Sequence, residues 1–371
     1  MGSVNLDNTG SGADVTLSSD GTNLLLDGTA IGGGGGDPDL YRDNASSAVT
    51  PTASGTNAVA IGSGAVASGS LSFAFGSSGA NAAISSGSQS ISMGSYSRAY
   101  GSTSIAMGYG AEASSGASGG VALGQNSRSA GNKAVALANS RASGADSFAA
   151  AIASNSSSYG ASGANSVAIG RQAKARDTRA ISIGYNTDVF GYGGVAIGDN
   201  CYVNQGYGVA MGNYARTHAR YGAFIYANGY LVDAGDAQTG IMVLRKATTD
   251  ATPSAITSTG GAASSANQLV LTNESAITFT GTVVCREDAT DGDDYAGWEI
   301  KGVIMRQGQA SDTTLGVGIV NNLYHTAGLA NASVALSADT SNGALKVEAT
   351  GIAATNLHWV ATLNFSEVKN F

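Results

Sequence analysis

The middle of the chain alternates large apolar residues with small ones, in a phrase that returns about every fourteen residues. Within residues 179–213 the phrase reads I-S-I-G, V-A-I-G and V-A-M-G. Its eleven copies close at Gly62, Gly76, Gly94, Gly108, Gly124, Ala138, Ala151, Gly170, Gly184, Gly198 and Gly212. A period of two predicts a short β-strand, and glycine permits the turn that follows it.

Each repeat is expected to form one coil of a β-solenoid. In one copy Val167 and Ile169 point to one side of the strand and Ala168 to the other, while Ala173 and Ala175 mark a second short strand. One coil is then two strands and two turns, and the coils stack about 4.8 Å apart. A rod this thin has little core, so we expect several chains to pack side by side and bury the alanine face.

Composition and charge narrow the class of protein. Glycine supplies 54 of 371 residues, but 43% of residues are hydrophobic and Val and Ile recur in register, which favours order over disorder. The net charge of -8 argues against a nucleic-acid partner. The N-terminus lacks the features of a secretory signal, and no apolar run has the length of a membrane span. We therefore expect synthesis in a host cytoplasm without membrane insertion.

The repeat phrase resembles a known family. The copies at residues 57–62, 104–108, 165–170 and 194–198 (N-A-V-A-I-G, S-I-A-M-G, N-S-V-A-I-G and G-V-A-I-G) are similar to the YadA-type head repeat. That repeat occurs in bacterial trimeric autotransporter adhesins and in some phage fibres. The resemblance implies that residues 55–230 form a left-handed parallel β-roll assembled as a homotrimer.

The C-terminal part, residues 231–371, reads as an antiparallel β domain. Trp298 and Trp359 lie on alternating apolar faces and are expected in its core. The pattern predicts an all-β sandwich with jelly-roll-like connections. Its candidate strands are Met242–Arg245, Gln268–Leu271, Ala276–Cys285, Ala296–Arg306, Leu315–Asn321, Val334–Ala338, Ala344–Ala349 and His358–Ser366.

A looser resemblance concerns this same part of the chain. The run at residues 235–253 and the acidic hairpin that follows are similar to the C-terminal region of tailed-phage fibres. This resemblance implies a trimeric tip domain after the shaft.

The N-terminal part, residues 1–54, has two alternating segments around Asp20 and Gly21, followed by five glycines at 32–36. One interpretation is a hairpin and a flexible linker that attach the chain to a phage tail or capsid. The alternative is a disordered tail. The pattern does not decide between them.

Few residues suggest a catalytic, metal-binding or cofactor-binding site. His218, His325 and His358 have no metal-binding spacing, and Cys201 and Cys285 are expected to be free. The glycine run lacks the Gly-Lys-Ser/Thr ending of a phosphate loop. A Ser-His-Asp triad need not be local in sequence, but no nucleophile-elbow motif supports one. We therefore predict no metal, no cofactor and no enzymatic activity.

The candidate receptor contacts lie near the acidic run E287-D-A-T-D-G-D-D294. A calcium loop is disfavoured because the twelfth-position Glu is missing, so the run is read as a hairpin turn whose tip can touch a receptor. The candidates are Asp291, Asp293, Asp294, Tyr295, Tyr324 and His325. Tyrosines also gather between residues 185 and 230, where they suit either sugar binding or capping of the roll.

These patterns predict a phage virion fibre. It would attach to a host cell-surface glycan or protein non-covalently, and three copies would raise avidity. The alternatives are a purely structural head or tail appendage and the head of a bacterial trimeric autotransporter adhesin.

Overall fold

The computed structural model describes residues 49–76, 81–154, 156–289 and 292–370, together with the backbone of four strands nearer the N-terminus. The described chain is all β apart from short 3-10 helices, such as Ala310–Asp312 and Ala327–Leu329. The four N-terminal strands form an antiparallel sheet in chain order: β1 Val4–Leu6, β2 Val15–Ser19, β3 Leu24–Leu26 and β4 Thr29–Ala30.

Strands β2 and β3 pair on either side of residues 20–21, as the hairpin interpretation predicts. The glycine run at 32–36 lies outside the described residues.

The repeats build a β-solenoid. Its strands in chain order are β5 Thr52–Ala53, β6 Val59–Ile61, β7 Val66–Ala67, β8 Phe73–Phe75, β9 Ile84–Ser85, β10 Ile91–Met93, β11 Arg98–Ala99, β12 Ile105–Met107, β13 Glu112–Ala113, β14 Val121–Leu123, β15 Arg128–Ser129, β16 Val135–Leu137, β17 Arg141–Ala142, β18 Phe148–Ala150, β19 Gly160–Ala161, β20 Val167–Ile169, β21 Lys174–Ala175, β22 Ile181–Tyr185, β23 Asp188–Val189, β24 Val195–Asp199, β25 Tyr202–Val203, β26 Val209–Asn213 and β27 Phe224–Asn228.

Two parallel sheets run along the solenoid. The even-numbered strands from β6 to β26, and then β27, stack as sheet 1, while the odd-numbered strands from β5 to β25 stack as sheet 2. Val167, Ile181 and Val195 lie in one such register. The second strand of each coil is therefore confirmed. Strand β27 adds a turn that the sequence did not reveal, because its F-I-Y-A-N lacks the closing glycine.

The alanines point into the coil. Ala168, Ala196 and Ala210 are fully buried within the single chain, whereas the flanking Val and Ile side chains point outwards and are half-buried. The prediction that alanine faces form the contact between chains is therefore wrong. A coil of two short strands has room inside only for small side chains, so its large apolar residues must lie outside.

The polar residues of the repeat also have structural roles. Asn165 adopts a positive φ of 55°, a conformation that asparagine tolerates better than most residues. The Ser166 hydroxyl is buried and donates to the carbonyl of Gly163 at 2.6 Å, which satisfies it inside the coil. The N-S-V-A-I-G phrase thus encodes a turn, an internal hydrogen bond and a strand in six residues.

The C-terminal region contains the remaining strands. They are β28 Ala237–Thr248, β29 Ser254–Ala255, β30 Leu269–Val270, β31 Ser275–Glu287, β32 Tyr295–Arg306, β33 Thr314–His325, β34 Ser333–Asp339, β35 Ala344–Thr350 and β36 Leu357–Lys369. Each of the eight strands that the sequence predicted for this region is present, most of them longer than predicted.

Sheet 1 continues without a break from the solenoid into this region. Strand β27 pairs parallel with β26 and antiparallel with β28, and the order then runs β28, β36, β31, β32, β33. A smaller antiparallel sheet has β35 at its centre, with β34 on one side and β29 and β30 on the other. The shaft and the C-terminal region are therefore joined by backbone hydrogen bonds.

The core of the C-terminal region matches the sequence prediction. Trp298 and Trp359 are buried and stack with ring centroids 5.5 Å apart. Cys201 and Cys285 are both free and buried, and burial raises the pKa of the Cys285 thiol to about 11. Both thiols therefore belong to the packing.

Candidate functional site

An exposed tyrosine pair lies where sheet 1 ends. Tyr295 is the first residue of β32, and Tyr324 lies near the end of β33, the last strand of the sheet. Their ring centroids are 5.4 Å apart at an interplanar angle of 33°, and the two residues are 50% and 54% exposed. A tyrosine pair with this much free ring surface can stack on a ligand.

Backbone contacts hold this pair in place. The backbone N–H of Tyr295 donates to Thr326 Oγ1 at 3.1 Å, and the N–H of Thr326 donates to the Tyr295 carbonyl at 3.1 Å. His325 is exposed beside them, with Nδ1 3.2 Å from the carbonyl oxygen of Thr326. The rings are thus mounted on a hydrogen-bonded strand end and not on a free loop.

The acidic hairpin connects directly to Tyr295 of this pair. Asp293 is exposed and Asp294 is half-buried, and the Asp294 carbonyl accepts the N–H of Glu287 at 2.9 Å. Asp291 lies outside the described residues. The structure thus places Tyr295, Tyr324 and His325 together, and Asp293 and Asp294 lie next to Tyr295 along the chain.

A row of three exposed side chains, most of which the sequence analysis did not select, starts at Tyr295 of this pair. In the register of sheet 1, Arg286 stands directly opposite His358 on one side and Tyr295 on the other. All three residues are exposed. His358 Nε2 is 3.5 Å from Asp288 Oδ2. Arg286 and Tyr295 lie just outside the predicted strands, and nothing in the sequence pattern indicates the strand order that brings these side chains together.

Two concave surfaces meet at Arg245. This residue lies on β28, on the same margin of sheet 1, by which we mean the row of residues that crosses β28, β36, β31 and β32 near one end of these strands. One, of about 410 Å³, is lined by Arg245, Lys246, Gly260 and His358 among others. The other, of about 440 Å³, lies between Arg245 and the rings of Tyr207 and Tyr221.

Tyrosines also stack along the last coils. Tyr192, Tyr207 and Tyr221 follow one another with centroid distances of 5.6 Å, edge to face in both pairs. The Arg179 guanidinium lies 5.4 Å from the centre of the Tyr192 ring. This ladder ends at the concave surface beside Arg245.

No helix in the described part of the chain is long and apolar enough to cross a membrane.

Comparison with solved structures gave distant similarities, two of which are to phage tailspike proteins. One is a tailspike protein gp49 from Acinetobacter baumannii bacteriophage Fri1, a capsular polysaccharide depolymerase, at 10% identity and a TM-score of 0.23, over 83% of this chain and 68% of that chain. The other is the tailspike protein of Acinetobacter baumannii phage AM24, at 9% identity and a TM-score of 0.19, over 79% of this chain. The alignment spans 53% of the AM24 protein. No curated protein matches the chain.

One of these descriptions corrects a prediction. A depolymerase is an enzyme, so the prediction that this chain has no enzymatic activity is contradicted and is withdrawn. That prediction rested on the absence of motifs that are local in sequence. Carboxylates that cleave glycosidic bonds are brought together by the fold, so local spacing could not exclude them.

A family model confirms the resemblance of the repeats. The YadA head domain repeat matches residues 53–78, 85–111, 116–137 and 161–187. These segments cover strands of both solenoid sheets, in the region where Val and Ile alternate with buried alanine. At a coarse level they support a receptor-binding fibre or adhesin. The solenoid therefore contains YadA head domain repeats in these four segments.

Proposed function

We propose that the protein is a phage virion fibre that attaches to the host cell surface without forming a covalent bond. The observation that carries the proposal is the continuity of sheet 1. A shaft of stacked coils runs directly into a C-terminal sheet whose last strands present the exposed Tyr295–Tyr324 pair. A rigid shaft that ends in exposed aromatic rings is suited to holding a binding surface away from a particle.

The proposed fibre is a homotrimer formed through the solenoid part of the outward face of sheet 1. Large apolar side chains cover this part of the face. They include Val59, Phe75, Ile91, Met107, Leu123 and Phe224, each more than a third exposed in the single chain. Burying apolar area stabilises by about 25 cal/mol per Å², so three copies that share such faces gain stability that one chain lacks.

The finer parts of the proposal follow from this assembly. Residues 1–54 attach the fibre to a tail or capsid component, residues 55–230 form a left-handed roll as the shaft, and residues 231–371 form a jelly-roll-like sandwich as the tip. Three tips on one shaft raise the avidity for a host glycan or protein without strong single-site affinity.

Binding of the purified, fluorescently labelled full chain to a panel of bacterial strains tests this proposal. We expect some strains to be labelled, and labelling to fall strongly when Tyr295 and Tyr324 are both changed to alanine. The matched control is Tyr109→Ala, because Tyr109 is equally exposed and its ring contacts that of Tyr96 in the solenoid, away from the tip. A correctly assembled protein that labels no strain would contradict the attachment function.

A different observation would support each alternative function. Release of reducing sugars from capsule material would add depolymerase activity to attachment. A fibre that labels no strain but is found in purified virions would instead be a structural appendage. A full gene that encodes a secretion signal and a membrane anchor would indicate the head of a bacterial adhesin.

A further inference from the structure

We propose that one margin of sheet 1 is a binding site for an acidic oligosaccharide. The site is a cationic–aromatic band formed by Tyr207, Tyr221, Arg245, His358, Arg286 and Tyr295. The inference rests on the proposed attachment function and names the chemistry of the receptor that the fibre contacts.

The band is contiguous because the strand register places its members side by side. Arg286 is directly opposite both His358 and Tyr295, and residues opposite each other in antiparallel strands lie about 4.5–5.5 Å apart. Arg245 is opposite Val360, two residues along the same exposed face from His358. Tyr221 then adjoins Arg245 across the second concave surface. The order along the margin is aromatic, cationic, aromatic.

The middle of the band is concave. The two surfaces of about 410 and 440 Å³ adjoin at Arg245, and each has the size of a pocket for a small ligand. A linear oligosaccharide laid along the margin would pass from the Tyr207 and Tyr221 rings over Arg245 to His358. This shape favours an extended ligand over a compact one.

Arg245 is positioned to bind an anion. Its Nη1 donates to the Ser258 carbonyl at 2.7 Å and its Nη2 to the Thr259 carbonyl at 3.3 Å, which fixes the guanidinium. These bonds use two of its five N–H donors. Among the described residues neither Arg245 nor Arg286 pairs with a carboxylate, whereas Arg128, Lys174 and Arg176 on the solenoid do. A planar guanidinium with free donors matches a sugar carboxylate.

The aromatic members explain why the ligand is a sugar and not simply any anion. Half-exposed tyrosine rings offer flat apolar faces to the C–H faces of pyranose rings while their hydroxyls stay in water. Duplex nucleic acid is disfavoured, because residues 231–371 carry seven basic and fourteen acidic residues. A glycan with a carboxylate on some of its sugars can bind the arginine side chains through the carboxylates and the tyrosine rings through its sugar rings.

Calorimetric titration of the full chain with oligogalacturonate of about eight sugars tests the site, with a maltooligosaccharide of equal length as the neutral comparison. We expect binding of the acidic ligand that weakens as salt rises, and much weaker binding of the neutral one. Arg245→Gln should weaken binding of the acidic ligand about tenfold or more, because it removes charge-assisted hydrogen bonds. Arg98→Gln, which removes the same charge from the solenoid surface, should leave binding unchanged.

Four results would overturn the inference. The first three are no binding of oligogalacturonate or of a hyaluronan oligosaccharide, equal binding of the acidic and neutral ligands, and equal loss with Arg245→Gln and Arg98→Gln. The fourth is a single-stranded oligonucleotide that binds as tightly as the acidic sugar. If acidic sugars fail while the protein still labels bacterial cells, only this inference fails, and the attachment function stands.

Discussion

Arg220 and Glu367 form a fully buried ion pair between the last coil of the solenoid and the last strand of the chain. Arg220 Nη1 is 2.7 Å from Glu367 Oε2 and Nη2 is 2.6 Å from Oε1, so the pair is bidentate. Gln238 Nε2 also donates to Glu367 Oε2 at 2.8 Å, and His218 Nδ1 lies 3.3 Å from Oε1. This network fixes the shaft to the C-terminal region on the side of sheet 1 opposite the exposed apolar face.

Removing one partner of this pair should cost much of the stability. In Glu367→Ala the Arg220 charge stays buried without its carboxylate, and such a loss typically costs about 3–5 kcal/mol. Denaturant unfolding of the purified protein measures the change. Glu299→Ala is the control, because Glu299 pairs with Lys301 on the exposed surface and its loss should barely move the midpoint. Equal shifts in the two variants would contradict a structural role for the buried pair.

The Glu367 carboxylate should also make the stability of the protein depend on pH. Burial alone would raise the pKa of Glu367, but the Arg220 charge and the hydrogen bonds from His218 and Arg220 outweigh burial and hold that pKa well below its usual range. A depressed pKa contributes stability above the ordinary glutamate value of about 4.3, and this stability is lost as the pH falls towards the folded-state pKa.

The melting temperature should therefore fall as the pH is lowered from about 5 to 3. The pKa values of Asp236 and Asp339 are also lowered, by backbone and side-chain hydrogen bonds that outweigh burial, so they add to the effect. Comparison with Glu367→Gln isolates the glutamate, since that variant should be less stable at neutral pH and lose less on acidification. An identical pH profile in the parent and Glu367→Gln would contradict this assignment.

The solenoid should be intolerant of side chains at its closing glycines. Gly184 has a φ of +123°, and a Cβ placed there would lie 1.9 Å from the carbonyl oxygen of Gly198 in the next coil. Gly184→Ala should therefore separate or unfold neighbouring coils. In Gly116→Ala the new Cβ would meet only an ordinary contact at 3.7 Å. Thermal unfolding should distinguish the two variants, and equal melting temperatures would argue against the close stacking of coils.

A charge on the outward face of sheet 1 should break the trimer. Val195 is half-buried on this face, at the centre of the last coils. Val195→Glu would place a carboxylate in the proposed contact between chains, where burial of an unpaired charge is costly. Gln205→Glu adds the same charge on a turn of the same coil and should remain trimeric. Light scattering measures the mass of each variant. A trimeric Val195→Glu protein would show that the chains meet elsewhere.

The sequence predicted the solenoid well because its information is local. The alternation in V-A-I-G fixed strands such as Val167–Ile169, and clean alternation around Trp298 and Trp359 fixed the long strands of the C-terminal region. Alternation does not say which face is inside. The alanine face was therefore assigned to the contact between chains, until the narrow cross-section of a coil placed it in the interior.

The site depends on contacts that are distant in sequence. Arg286 meets His358 because β31 pairs with β36, and Arg220 meets Glu367 across the whole C-terminal region. Neither pairing has a signal in the spacing of the residues. Tyr295 and Tyr324 could be selected because they lie just outside the predicted strands Ala296–Arg306 and Leu315–Asn321, but their ring contact needed the register of β32 and β33.

The central claim is that three copies join along sheet 1 to form an elongated fibre. Light scattering combined with sedimentation velocity on the purified full chain tests it most directly. We expect a mass of three chains of 36.6 kDa each, with a frictional ratio well above that of a compact particle. A compact particle with the mass of one chain would contradict the trimer, and with it attachment through three tips.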